Sequence, residues 1–175
     1  LFSRLHGCAM SSPIPCVTIV GDGAMGTLCA LMLARRGTRV TVWGRSAEHV
    51  KEIDRERENK RYLPGHRLPE SIHLVSDPTA AFLPKPDLVV SAVPCQFMRS
   101  VWARLAPHVP KNAPIVSVAK GIEVGTLMRP TDIIRDCVGD APLACLSGPS
   151  IAPEIAREKP ASVVVAATDP RLAEI

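Results

Sequence analysis

Aromatic residues are scarce in this sequence and make up 3% of its 175 residues. Proteins that hold single-stranded nucleic acid stack the bases on aromatic side chains, so this scarcity argues against nucleic acid as a partner. The net charge of +4 is mild and suits a small anionic ligand at least as well. With few aromatics, the core must rest on Val, Ile, Leu, Ala and Met.

The sequence also lacks paired cysteines. Its six cysteines are scattered, with no C-x-x-C pair and no histidine at ligand spacing, which argues against a zinc site or a disulfide framework. Buried free thiols in a reducing compartment are the expectation, so we predict a cytoplasmic location and no bound metal.

No apolar run is long enough to cross a bilayer, so the sequence predicts no membrane span. The first ten residues have neither the apolar core of a secretory signal nor an initiator Met. We expect residues 1–15 to be a poorly ordered extension and residues 16–175 to be one folded domain. Because Asp169–Glu174 reads as a helix that is just beginning, we also expect a C-terminal region to be missing.

A glycine-spaced turn lies between the β-branched run Val17–Val20 and a helical segment at Leu28–Gly37. Strand, G-x-G-x-x-G and helix in this order form the dinucleotide-binding fingerprint. Gly21 permits the tight turn, Gly23 lets the backbone approach a pyrophosphate, and Gly26 lets helix and strand pack closely. The pyrophosphate would lie at the positive end of the helix.

Strands and helices alternate along the rest of the chain. We predict strands at 38–43, 71–76, 88–93, 114–119, 142–146 and 161–167, with helices at 46–58, 77–79 onward, 96–105 and 131–137. Such alternation implies right-handed parallel crossovers. The predicted fold class is α/β, a Rossmann-type, doubly wound and mainly parallel sheet with helices on both faces. Residues 16–175 would then be a dinucleotide-binding domain.

Ligands bind outside the carboxyl ends of strands in open parallel sheets. The segments predicted there are Gly21–Gly26, Arg45, Pro94–Phe97, Lys120 and Gly148–Ser150. NAD-preferring folds place an acidic residue after the second strand, but here Arg45 follows that strand and no carboxylate does. Since arginine pairs with a 2′-phosphate, the sequence predicts that NADPH is accepted beside NADH.

Six motifs in order resemble the bacterial type of NAD(P)-dependent glycerol-3-phosphate dehydrogenase. They are Gly21–Thr27, Trp43–Arg45, Asn59–Gly65, Ala92–Pro94, Ala119–Glu123 and Leu146–Ala152. The resemblance implies a Rossmann-type N-terminal domain joined to a helical C-terminal domain. The implied reaction is the reduction of dihydroxyacetone phosphate to sn-glycerol 3-phosphate, which serves phospholipid synthesis.

The motif, the strand ends and the resemblance together predict the site residues. Cofactor contacts are expected from Gly21, Gly23, Ala24, Met25, Gly26, Arg45, Pro94, Lys120 and Ala152, and substrate contacts from Lys120, Gly148 and Ser150. The resemblance gives Lys120 both roles, and its ammonium would donate to a phosphorylated ketone.

Two departures from the family stand out. Met25 replaces the usual aromatic residue, and a methionine can still cover a nicotinamide or ribose face. The family's general acid is a lysine of the helical domain, so we expect no catalytic residue in this chain, and cofactor binding without turnover.

Whether the full-length protein forms a homodimer stays an open question.

Two alternatives remain at this point. One is another dehydrogenase with the same type of N-terminal domain, such as a ketopantoate or 6-phosphogluconate relative. The segments Lys120–Glu123 and Gly148–Ser150 argue against it. The other is a module that senses NAD(P) and signals through a partner without catalysis.

Overall fold

The computed structural model describes residues 14–174, in which strands and helices alternate. The strands are β1 (Cys16–Val20), β2 (Arg39–Trp43), β3 (Ile72–Val75), β4 (Leu88–Ser91), β5 (Ile115–Ser117), β6 (Leu143–Ser147) and β7 (Val164–Ala167). The helices are α1 (Ala24–Arg35), α2 (Ala47–Glu56), α3 (Pro78–Phe82), α4 (Cys95–Leu105), α5 (Pro130–Val138), α6 (Ala152–Ala156) and α7 (Pro170–Glu174).

The described strands form one sheet in the order β3-β2-β1-β4-β5-β6-β7. Neighbours from β3 to β6 pair in parallel, and β7 runs antiparallel to β6. The chain winds outward in both directions from the β1–β4 pair, so a crevice opens between the carboxyl ends of these two strands. The predicted fold class is confirmed.

Apolar β-branched residues explain why the centre of the sheet is buried on both faces. All five residues of β1 are buried, and Val17 and Ile19 face one layer of helices while Val20 faces the other. Leu28 on α1 packs with the first group, and Trp102 on α4 packs with the second. Burial on both faces is typical of parallel sheets, and it fixes the strand ends that carry the site.

Two helices begin where the sequence offers a side-chain cap. Ser46 accepts a hydrogen bond from the amide of His49 at 3.3 Å, and Asp77 accepts one from the amide of Ala80 at 3.0 Å. Each bond satisfies one of the amides that a helix start leaves unpaired. The predicted start of both helices is confirmed.

The structure departs from the sequence-based expectation near the carboxyl end of the described region. Helix α6 was not predicted, and β7 is shorter than the predicted strand at 161–167. Three of the four residues of β7 are exposed, and β7 is an edge strand that pairs with β6 in the described sheet.

Some expectations concern residues that the structure does not describe or features that it does not contain. Most of the predicted extension at 1–15, and Cys8 with it, lies outside residues 14–174. The five cysteines within that range are free thiols. In the same range, no helix combines the length and apolarity needed to cross a membrane, and no three His, Cys, Asp or Glu side chains group as metal ligands would.

Candidate dinucleotide and substrate site

A cleft of about 600 Å³ lies at the carboxyl ends of the central strands. Among the predicted site residues, those on its wall are Gly21, Gly23, Ala24, Met25, Arg45, Pro94, Lys120 and Ser150. Three predicted residues do not line it: Gly26, Gly148 and Ala152. Gly26 and Ala152 are buried, and Ala152 packs in the core that includes α1.

The three glycines of the turn differ in what a side chain would meet at their positions. Gly21 has φ +111°, and a Cβ there would lie 2.8 Å from the carbonyl oxygen of Ala92 on the neighbouring strand end. A Cβ on Gly26 would overlap the carbonyl of Gly21. A Cβ on Gly23 would meet nothing within 4 Å, so this position borders open space. Gly21 and Gly26 therefore shape the turn, and Gly23 keeps the cleft accessible.

Helix α1 begins directly after the turn and is 12 residues long. Its N-cap residue, Gly23, has no side chain to accept a hydrogen bond from the first-turn amides. These amides and the helix dipole make the start of α1 a site for an anion such as a pyrophosphate. The turn therefore combines open space at Gly23 with a helix start that can bind an anion.

Asn59 holds the turn from behind, and the sequence reasoning did not select it. Its fully buried amide nitrogen donates to the carbonyl oxygen of Asp22 and to the hydroxyl of Thr27, both at 2.8 Å. The backbone carbonyl of Asn59 accepts a hydrogen bond from the backbone amide of Leu63 at 2.8 Å. The signal available in the sequence was that Asn59 begins the motif Asn59–Gly65. Its role could not be predicted from that motif, because Asp22 and Thr27 are more than 30 residues away in sequence.

The segment after Asn59 also forms a wall of the cleft. Tyr62 lines the cleft, and its ring meets that of His49 edge to face with the centroids 5.5 Å apart. The guanidinium of Arg61 lies 5.0 Å from the centre of the Tyr62 ring. Neither Tyr62 nor Arg61 was among the predicted site residues.

Arg45 lies where predicted, exposed and on the wall of the cleft after β2. As expected, no carboxylate directly follows β2 in the sequence. The folded chain nevertheless brings a carboxylate to this strand end, so the expectation that none accompanies Arg45 is wrong. Asp22, from the glycine-rich turn, lies against Gly44, so that a Cβ on Gly44 would be 2.8 Å from the carboxyl carbon. Burial raises the pKa of the Asp22 carboxyl, while a hydrogen bond with its own backbone and then the charges of His49, Arg61 and Arg45 act in the opposite direction.

The predicted substrate residues converge on one carbonyl group. The ammonium of Lys120 donates to the carbonyl oxygen of Gly148 at 2.7 Å, and the amide of Ser150 donates to the same oxygen at 2.8 Å. Gly148 has φ +149° and lies too close to the backbone of Ser162 to carry a side chain. The structure therefore brings Lys120, Gly148 and Ser150 together at the edge of the cleft.

The loop after Lys120 is fastened to α4. The guanidinium of Arg99 donates to both carboxylate oxygens of Glu123, the closest contact being 2.9 Å, and it also pairs with Asp136. The side-chain amide of Gln96 donates to the carbonyl of Ile122 at 2.8 Å. Hydrogen bonds from Arg99 and then Thr126 hold the pKa of Glu123 below its usual value.

Residues 16–173 match the family described as NAD-dependent glycerol-3-phosphate dehydrogenase N-terminus. A relative named glycerol-3-phosphate dehydrogenase [NAD(P)+] 2, from Mycobacterium tuberculosis, is 46% identical over 155 residues, covering 87% of this chain and 46% of the relative. A relative from Corynebacterium aurimucosum, named glycerol-3-phosphate dehydrogenase [NAD(P)+], is 39% identical over 90% of this chain and 48% of its own length.

A solved structure gives the same answer. The crystal structure of glycerol-3-phosphate dehydrogenase from Coxiella burnetii superposes with a TM-score of 0.84 at 30% identity, covering 92% of this chain and 49% of that one. The chain thus spans about half the length of the curated relatives it matches. On the family match and the identity to these relatives, the chain belongs to the NAD-dependent glycerol-3-phosphate dehydrogenase family and corresponds to its N-terminal region.

Proposed function

We propose that this chain is the cofactor-binding half of an enzyme that reduces dihydroxyacetone phosphate to sn-glycerol 3-phosphate with NADH or NADPH. The product would serve glycerophospholipid synthesis. The observation that carries the proposal is the placement of Lys120. Its ammonium lies at the edge of the same cleft whose wall includes the glycine-rich turn, and the Gly148 carbonyl holds it there.

Each part of the cleft has a separate task in this proposal. The first turn of α1 offers backbone amides to the pyrophosphate, and Arg45 offers a guanidinium to the adenosine ribose or its 2′-phosphate. Met25, Pro94 and the buried Ala152 stay predicted cofactor residues. When bound, the reduced nicotinamide would supply the hydride.

Lys120 would act on the substrate through its charge. Its ammonium is exposed and keeps donors beyond the one that bonds Gly148, so it can bind a phosphorylated ketone and stabilise negative charge on the carbonyl oxygen. Ser150 would add a hydroxyl at the same edge. The general acid would come from a lysine of a helical domain, so we propose that the chain binds its ligands without turnover.

The test is calorimetric titration of the chain with NADPH, followed by dihydroxyacetone phosphate added to the loaded chain. Lys120→Ala should weaken binding of the phosphorylated ketone about tenfold or more, because a charge-assisted contact is lost. Lys111→Ala is the matched control, since Lys111 is an exposed lysine before β5, at the opposite end of that strand. Its binding should equal that of the wild type.

Two outcomes would contradict the proposal. If ketopantoate binds the loaded chain and dihydroxyacetone phosphate does not, the substrate is wrong. If Lys120→Ala leaves ligand binding unchanged while NADPH still binds, Lys120 has no substrate role, and a cofactor-sensing module becomes the better account.

A further inference from the structure

The Asp22 side chain introduces an acid at the adenosine end of the cleft. Asp22 is the second residue of the glycine-rich turn, and its carboxylate lies beside Gly44, immediately before Arg45. Asp22 lines the cleft, and its side chain is 20% exposed. A residue distant in sequence therefore puts a negative group where β2 ends.

The carboxylate packs beside Gly44, and within residues 14–174 it has no cationic partner closer than 4.0 Å. Its nearest cationic candidate is the imidazole of His49, whose Nε2 is 4.0 Å from Oδ2. That buried nitrogen has no hydrogen-bond partner, and within residues 14–174 no side chain donates a hydrogen bond to the Asp22 carboxylate. Arg61 and Arg45 act on it through their charges. Its oxygens thus keep the capacity to accept hydrogen bonds from a ligand.

The position of this acid has a chemical meaning in a sheet of this topology. An acidic group at the end of the second strand accepts hydrogen bonds from the adenosine ribose hydroxyls, whereas an arginine there accommodates a 2′-phosphate. This cleft holds both groups, Arg45 from the strand end and Asp22 from the turn. The two groups favour different dinucleotides.

We propose that Asp22 is a specificity-determining residue that opposes Arg45. Its carboxylate accepts a hydrogen bond from the 2′-hydroxyl of NADH and repels the 2′-phosphate of NADPH. The preference for NADPH is therefore smaller than Arg45 alone would produce, and the chain accepts both dinucleotides. The inference rests on the proposed function, because it requires the dinucleotide to occupy this cleft.

The experiment measures the dissociation constants of NADH and NADPH for the chain and its variants by titration. Asp22→Asn keeps the shape of the side chain and removes its charge. It should raise the ratio of NADPH to NADH affinity about tenfold, as the removal of a like charge near a phosphate predicts. Arg45→Gln should change the ratio in the opposite direction.

Matched controls separate this role from a general loss of charge or of fold. Glu48→Gln removes one negative charge from the exposed first turn of α2, three residues from Arg45, and should leave the ratio unchanged. Asp22→Ser is a second variant, because serine keeps a small polar side chain beside Gly44. Thermal unfolding of each variant reports whether the turn is intact.

The outcomes are distinguishable. An increased ratio in both Asp22 variants, with no change in Glu48→Gln, supports the inference. If the wild-type chain binds both dinucleotides and the Asp22 variants keep its ratio, the inference is overturned and the proposed function stands. If the wild-type chain binds neither dinucleotide, the proposed function fails and this inference fails with it.

Discussion

The two ends of the cleft are built by different means. At the end proposed for adenosine, the glycine-rich turn packs against the residues that follow β4, and the fully buried Asn59 hydrogen-bonds to it. At the substrate edge, the exposed Lys120 is held by a single carbonyl, and the loop after it is fastened by the ion pairs of Arg99. Close packing fixes the first end, whereas charged contacts fix the second.

Because of this difference, the two ends of the cleft should be sensitive to different substitutions. Close-packed groups do not tolerate added volume, and a buried amide that loses its partner has no water to replace it. Partly exposed ion pairs are screened and contribute little each, but they respond to pH. Changes of shape should therefore impair folding and binding at the adenosine end. Changes of charge should impair them at the substrate edge.

The largest effect is expected from Gly26→Ala. The added methyl group would overlap the carbonyl of Gly21, so the turn must move, at a cost of about 3 kcal/mol in the free energy of unfolding. Urea denaturation measures this cost, and dinucleotide titration should show binding lost as well. A Gly26→Ala chain with wild-type stability would contradict the claim that packing fixes this end.

Asn59→Ala should come next. It leaves the carbonyl of Asp22 and the hydroxyl of Thr27 without their buried donor, which costs about 2 kcal/mol in the free energy of unfolding and weakens NADPH binding. Thr27→Val, alone and combined with Asn59→Ala, completes a double-mutant cycle. If the two effects simply add, the bond between these residues does not hold the turn.

Gly23→Ala separates binding from folding at the same turn. Gly23 has an ordinary φ of −75° and open space around its Cβ position, so stability should stay within about 0.5 kcal/mol of the wild type. The methyl group would project where the pyrophosphate approaches, and NADPH affinity should fall about tenfold. If Gly23→Ala leaves the affinity for NADPH unchanged, the pyrophosphate does not bind beside Gly23.

The smallest effect is expected at the substrate edge, from Glu123→Gln. Because the pKa of Glu123 is lowered in the folded chain, its carboxylate stabilises the fold above the ordinary glutamate pKa. That contribution is lost as the pH falls through the lowered pKa, so the wild type should lose stability below about pH 4.5.

Thermal unfolding at a series of pH values measures this loss, which Glu123→Gln should reduce. Glu48→Gln, on an exposed turn of α2, is the matched control and should keep the wild-type profile. A Glu123→Gln profile that follows the wild type at every pH would show that the Arg99 network does not stabilise the loop.

Local patterns in the sequence were sufficient for most of the fold. The apolar run Val17–Val20 and the helix starts at Ser46 and Asp77 carry their structural information within a few residues, and the structure confirms them. Helix α6 was missed because it has five residues and a proline in its first turn, too short for a periodic pattern. The direction of β7 depends on its partner strand, which no local pattern encodes.

The sequence predicts site residues where a motif carries them, and it cannot reveal contacts between residues that are distant in sequence. The spacing of Gly21, Gly23 and Gly26 indicates a turn, and the structure shows why Gly21 and Gly26 need glycine. Asn59 and Asp22 gain their roles from neighbours that only the folded sheet brings close. A reading of the residues after β2 therefore found Arg45 and overlooked the acid beside it.

We propose that the glycine-rich turn binds the dinucleotide. The most direct measurement is hydrogen exchange of the backbone amides of residues 21–27 with and without NADPH. We expect NADPH to slow exchange at these amides in the wild-type chain and to have no such effect in Gly23→Ala. Unchanged exchange at residues 21–27 under conditions where NADPH binds the chain would contradict it.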